Sequence, residues 1–434
     1  MSEMSQDVLP PALPGPALAQ TVAAFAASER FDRWVMANYP KVLRMKVLGV
    51  GEVVTVRDPG AIRELFTASP DAVTSGGING RVLPVLGRGS VMLLDGESHM
   101  RTRKLLLPPF HGDAIRGYET LIERITTDEM ARWPRGRPFP LHPRMQAIAL
   151  EVILEVVLGV SDRSRRRRLR DVLPGVLEAN PLAFLAESRV PWLAGGAIGR
   201  LRPWVRRRRE AEALLREEVA AHRADGGDGD ILSLLVEIRD EDGRGFDDTE
   251  LVGQLMTLLL AGHETTAASL AWCFERLLRH PAALARLLVE LERGEDAYLD
   301  AVIKETMRQR PVVEVVWREL AEPYEIGGYR LPAGTIVVPV IRAVAAGEFE
   351  APREFRPERF LDGGTGPYAH IPFGGGTRRC LGASFATLEM KTVLRAVFAG
   401  LELTAPDSAP ERPNRMRRFT TSPGRGARVV AAPR

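Results

Sequence analysis

A chain of 434 residues, 45% hydrophobic and 26% charged, has the length and composition of an ordinary globular protein with one large core or two smaller ones. A net charge of +3 excludes a strongly basic nucleic-acid binder, and two cysteines exclude a disulfide scaffold. No apolar run approaches the roughly 18 residues of a membrane span, and the N-terminus lacks the basic and apolar regions of a secretory leader, so a soluble, cytoplasmic protein without a membrane anchor is expected.

In chain order, residues 1–20 form a proline-rich segment (Pro10, Pro11, Pro14, Pro16), and 21–434 read as one continuous domain. Leu43–Val47 and Glu52–Val56 alternate as a strand pair. The arginines at 163, 165–168, 170 and 206–209 read as solvated faces rather than as phosphate or membrane sites. A helix is expected across 203–224. Asp247-Asp-Thr-Glu250 has the form of a capping box and opens a long helical pattern, Leu251 to Leu278, which stops at His280-Pro281. Helices follow across 282–293 and 297–309. Tyr324–Leu331 is a hairpin turning at Gly327-Gly328, with Thr335–Val338 after it. From Ala343 to Pro372 the pattern is irregular, and a helix begins again after Gly382. The fold class is therefore mainly α with a smaller β region.

Four constellations carry chemistry. In Phe373-Gly-Gly-Gly-Thr-Arg-Arg-Cys-Leu-Gly382, the glycines permit tight turns and close approach to something flat. Arg378, Arg379 and the following helix N-terminus favour a thiolate at Cys380. Such a thiolate suits an axial ligand of haem iron, whereas a zinc site would need further Cys or His close by. Cys273 is read as core. Second, Ala261-Gly-His-Glu-Thr-Thr266 puts polar groups inside the long helix, where a threonine can bond back to the carbonyl four residues earlier. Third, Glu305 and Arg308 share one helix face, and Pro357-Glu-Arg-Phe360 lies downstream. Fourth, His99-Met-Arg-Thr-Arg103 precedes all of these, and Arg318 follows Trp317.

These motifs, in this order from about residue 90 to 423, resemble cytochrome P-450, the haem-thiolate monooxygenases of soluble bacterial type. The resemblance implies the cytochrome P-450 fold, with the long helix over a haem b and a proximal loop in which Cys380 is the metal ligand. It implies contacts to the cofactor from His99, Arg103, Ala261, Arg318, Phe373, Gly374, Arg378 and Gly382, with the arginines and His99 on its propionates. Glu264 and Thr265 become the acid–alcohol pair that moves protons to dioxygen, His263 takes no ligand role, and Glu305, Arg308 and Arg359 form a supporting network. Two departures from the family pattern concern local packing: Arg342 to Glu350 lacks the usual His-Arg-x-Pro run, and Gln309 replaces a leucine.

The activity so implied inserts one atom of O2 into a lipophilic small molecule, by hydroxylation or epoxidation. The chain carries no flavin, nicotinamide or iron–sulfur fingerprint, so a ferredoxin-type or flavodoxin-type donor with its reductase is the expected partner of a monomeric enzyme. Arg101, Lys104 and Arg379 are candidate docking cations for it. Val73–Leu94, the helix around Ala261, Val312–Val316 and Phe419–Thr421 are expected to line the pocket, with Arg81 or Arg88 as an alternative carboxylate anchor, although a surface position is the favoured reading of both. A peroxide-driven oxygenase or isomerase on the same fold, or a non-catalytic haem sensor, are the rival readings; the intact Glu264-Thr265 pair and the lack of a signalling module weigh against them.

Overall fold

The computed structural model describes residues 9–26, 28–83, 86–87, 89–177, 194–226, 229–361, 366, 368–414 and 420–434. Helices dominate, and the longest of the core ones, Asp248–Arg279, runs through the centre of the largest apolar cluster. Asp247 caps it by accepting from Glu250 N, and the Glu250 side chain returns the bond to Asp247 N, which satisfies two otherwise orphaned donors. It ends where His280 breaks from helical geometry before Pro281. Trp272, Phe274 and Leu270 are fully buried on it, and helices His142–Val152, Ala297–Gln309 and Ala383–Gly400 pack around it.

The β region is a five-stranded mixed sheet in the order Val42–Val47, Gly51–Val56, Ile336–Pro339, Arg318–Leu320, Val73–Thr74. Its parallel strand pair, Val53 with Ile336, joins segments far apart in the chain. The hairpin Tyr324–Ile326 and Tyr329–Leu331 turns at Gly327 and Gly328, both with positive φ as expected for such a turn. The proline-rich start is tied in: Ala12 bridges to Arg44, Leu13 is buried, and helix Ala17–Ala26 begins inside that segment. No described helix is long and apolar enough to cross a membrane.

Two expectations change. The segment read as irregular from Ala343 opens as a helix, Ile341–Glu348, whose Val344 and Ile341 are buried; Gly347 and the nearby prolines had masked its period. Arg342 replaces the family's usual arrangement there by bridging Asp32 (2.6 Å) and Glu314 (2.6 Å). The arginines at 165, 166 and 170 are not merely solvated. Arg165 pairs with buried Glu218 at 2.9 Å, and Arg166 and Arg170 hold Glu151, at 2.8 Å for Arg166. They tie the helix Arg163–Leu177 to its neighbours, while Arg206, Arg207 and Arg209 are exposed as expected.

Candidate active site

The cysteine loop is built against one aromatic residue. A Cβ at Gly375 would stand 2.3 Å from the Phe66 ring, and one at Gly376 would stand 2.1 Å from the Phe66 carbonyl oxygen. Gly376 also has φ +66°, as Gly374 has +68°, a conformation that costs other residues about 1–2 kcal/mol. Two of the three glycines therefore serve packing on helix Pro59–Thr67 rather than approach to a ligand. Around Gly374 and Gly382, by contrast, the Cβ direction is open. Cys380 N donates to Phe373 O at 3.0 Å, closing the loop, and the helix Ala383–Gly400 starts directly after Gly382.

The Cys380 side chain is open to solvent on one side and crowded by protein on the other. Burial pushes its thiol up, opposed by a hydrogen bond from Gly382 N–H and by the charges of Arg103 and Arg379. The cations do favour a thiolate, as expected, but they do not outweigh desolvation. A bound metal cation would shift that balance and take the thiol deprotonated. Cys273 is fully enclosed, and burial pushes it to about 12.

Beside the loop stand three guanidiniums and an imidazole. Arg318 is lowered to about 10 by burial and by Arg378, while Asp95 partly offsets it. Arg103 and Arg378 are lowered mainly by burial. His99 falls to about 4 through burial and the charges of Arg378 and Arg103. Its Nδ1 is buried without a hydrogen-bond partner. Crowded cations with an orphaned imidazole nitrogen fit the two carboxylates of a haem, which would relieve both the repulsion and the missing bond. The donor set of one open cysteine and four basic groups thus fits the group that the sequence implied.

One segment joins this cluster to the central helix. Val91 N donates to Gln254 Oε1 at 3.0 Å, and Val91 O accepts from Arg378 Nη1 at 3.3 Å. Arg378 also reaches Leu94 O at 2.5 Å and pairs with Asp95. Thr257 Oγ1 bonds Ser90 Oγ at 2.7 Å. Gln254 and Thr257 carried no motif signal; their polarity inside an apolar helix was the available clue.

In the middle of the central helix most residues are buried, but Leu258, Ala261, Gly262 and Thr265 are not, nor is Leu260. The spacing of the first four, at three, four and seven, makes one open stripe. Thr265 Oγ1 donates back to Ala261 O at 2.5 Å, as its type and position predicted. Glu264 engages a neighbouring helix. Its carboxyl is buried against helix His142–Val152, where Gln146 Nε2 donates to Oε2 at 2.7 Å and His142 Nε2 lies 3.3 Å from Oε1. His263 Nε2 lies 3.0 Å from Gln146 O, so its contact is with the same helix.

The supporting network forms as expected, and it is more deeply buried than a surface pair. Arg308 grips Glu305 through two bonds of 2.6 and 2.8 Å; Glu305 Oε1 also accepts from Arg356 N at 2.9 Å and Arg359 Nε at 3.3 Å. Gln309 donates to Arg353 O at 3.0 Å, which gives that departure a use. Arg81 is exposed and pairs with Glu319 at 2.7 Å, the surface position favoured for it. Arg101 pairs with Asp240 at 2.6 Å and Lys104 with Glu241 at 3.3 Å; Lys104 and Arg379 are both exposed. Arg88 and Phe419 lie outside the described residues.

Comparison with known proteins agrees with this architecture. The family model described as Cytochrome P450 matches residues 14–427. A Mycobacterium tuberculosis protein provisionally named cytochrome P450 135B1 is 41% identical over 99% of this chain and 92% of its own. Another from that organism, provisionally named cytochrome P450 137, is 41% identical over 98% and 91%. Among solved structures, retinoic acid-bound cyanobacterial CYP120A1 superposes with a TM-score of 0.84 at 23% identity, covering 98% of this chain and 99% of that one. The haem domain of cytochrome P450DA gives 0.84 at 22% identity, over 98% and 97%.

Proposed function

Because the chain belongs to the cytochrome P450 family, and is thereby a haem-thiolate monooxygenase that uses dioxygen and a redox partner, we propose that Cys380 supplies the thiolate and the open stripe of the central helix faces the reacting substrate. The observation that carries this reading is the pairing of one open cysteine with His99, Arg103, Arg318 and Arg378, a cationic cluster that lacks enough carboxylate of its own. When bound, the haem supplies dioxygen activation and the transfer of one oxygen atom to the substrate.

The chain's own groups do the rest. Arg103, Arg318, Arg378 and His99 would hold the propionates, and Phe373, Gly374 and Gly382 would leave the cofactor room at the cysteine loop. Ala261 keeps the stripe low. Thr265 gives up its bond to the Ala261 carbonyl and donates toward the open side, and Glu264 holds the exchangeable proton behind it. Leu258, Ala261 and Gly262 make the stripe apolar, which suits a lipophilic substrate entering for hydroxylation or epoxidation. An acidic ferredoxin-type or flavodoxin-type donor docks at the exposed Arg379 on the cysteine side.

The test is the carbon monoxide difference spectrum of the reduced protein. Thiolate ligation gives a strongly red-shifted Soret band, expected for the wild type and for Cys273→Ala and lost in Cys380→His. A red-shifted band that survives in Cys380→His overturns the assignment.

A further inference from the structure

Among the described residues, Glu264 meets His142 and Gln146 of helix His142–Val152, spaced i and i+4, which places both on one face. His142 is 6% exposed and Glu264 7%, so the carboxylate depends on protein donors rather than bulk water. Gln146 supplies one at 2.7 Å, with its donor on Oε2. The His142 imidazole stands 3.3 Å from Oε1 with no hydrogen bond between them, so it bounds that oxygen by polar contact alone. His263 ties the same turn a second time, through the Gln146 carbonyl at 3.0 Å. Gln146 is itself half-buried, the one member of this group that meets solvent.

We propose that His142 and Gln146 are positioning residues for Glu264: they hold its carboxylate on the side of helix His142–Val152 and make that helix face, opening at Gln146, the route by which solvent protons reach the central helix. The proposal rests on the reading of Glu264 as the proton-holding acid. A single buried carboxylate with one donor removed either recruits water or turns to another partner. Its distance from the Thr265 side of the helix then ceases to be fixed, and misplacement by about 1 Å can cost on the order of a hundredfold in a positioned step.

The test compares His142→Leu, His142→Gln and Gln146→Leu in the haem-loaded full chain. Glutamine at 142 keeps a polar side chain against Oε1, so it is the conservative control. Crystal structures report the Glu264 rotamer directly. Hydrogen peroxide released per dioxygen consumed, driven by a plant-type ferredoxin and its reductase, reports lost proton control and needs no identified substrate. The expected result is a displaced Glu264 carboxylate and a severalfold rise in peroxide release for His142→Leu and Gln146→Leu. His142→Gln should keep both within about twofold of wild type, with haem content equal in all three. An unmoved carboxylate in His142→Leu, or an equal rise of peroxide in His142→Gln, overturns the proposal. Should His142→Leu not fold, Gln146→Leu against His142→Gln decides it. Glu264→Gln separates the two claims: if it leaves peroxide release unchanged, the acid reading fails, while the rotamers still decide the positioning. His142→Leu added to Glu264→Gln should change nothing further.

Discussion

The carbonyl oxygen of Phe66 stands 2.1 Å from where a Cβ at Gly376 would lie. Helix Pro59–Thr67 is thereby the seat of the cysteine loop, and the seat is backbone, which cannot rotate away as a side chain would. Gly376→Ala should lower stability by about 2 kcal/mol or more, through positive φ and the clash together, and it should reduce haem retained after purification. Gly382→Ala has an open Cβ direction and negative φ, so it should leave the thermal midpoint within a few degrees and alter the haem spectrum instead. Equal midpoints for the two variants would contradict this division of the glycines.

That division shows what the sequence could and could not carry. The spacing of Phe373 to Gly382 announced the loop and its cysteine, but the reason for Gly375 and Gly376 lies in Phe66, some three hundred residues earlier. In the same way, Glu264 was visible as a costly carboxylate in an apolar helix, whereas its partner Gln146 is 118 positions away. Charge counts marked Arg101 and Lys104 as cations. They gave no hint of the acidic turn at Asp240 and Glu241 that engages both. Local signals such as the capping box and the Gly327-Gly328 hairpin were legible because their partners lie within four residues. Helix Ile341–Glu348 was not, because eight residues ending near glycine and proline give too few turns for a period to show.

Glu305 and Arg308 are both buried and joined by two bonds, so neither can be removed alone without stranding the other. Arg308→Leu should cost about 3–5 kcal/mol, because the Glu305 carboxylate then faces Arg359 Nε at 3.3 Å as its remaining guanidinium partner. Arg308→Lys should also fail to restore stability, since an ammonium cannot reproduce the bidentate grip or the packing over the Phe349 ring at 5.0 Å. Urea denaturation of the haem-loaded protein measures both; a lysine variant as stable as wild type would show that charge alone suffices.

Glu389, on the helix that follows the cysteine loop, is buried with Oε1 lacking a partner, and burial raises its carboxyl from 4.5 to about 8. The folded state therefore keeps the proton where the unfolded chain has lost it. Stability from this group is full below about 4.5, falls as pH rises from there to about 8, and is flat beyond. Each unit of displacement corresponds to about 1.4 kcal/mol, so the effect amounts to several kcal/mol. Glu389→Gln keeps the shape without the charge. It should raise the midpoint most at pH above about 8 and remove this part of the slope, and parallel midpoint-against-pH curves for the two proteins would refute the assignment.

The pairs Arg101–Asp240 and Lys104–Glu241 bear on electron delivery. Asp240 is held below the usual carboxylate range, first by the hydrogen bond from Arg101 and then by Arg244 N–H. Both pairs lie at the surface, where each contributes little to stability, yet the acids occupy cations that an acidic donor would otherwise meet. Asp240→Asn with Glu241→Gln should leave the thermal midpoint nearly unchanged. It should raise the rate of reduction by an acidic ferredoxin severalfold at low ionic strength, and the gain should vanish near 0.5 M salt, where the Debye length falls to about 4 Å. Arg379→Glu should slow reduction under the same low-salt conditions. A double variant whose reduction rate matches wild type at every salt concentration would mean that the donor docks away from helix Gly96–Leu106, with Arg379 alone marking its footprint.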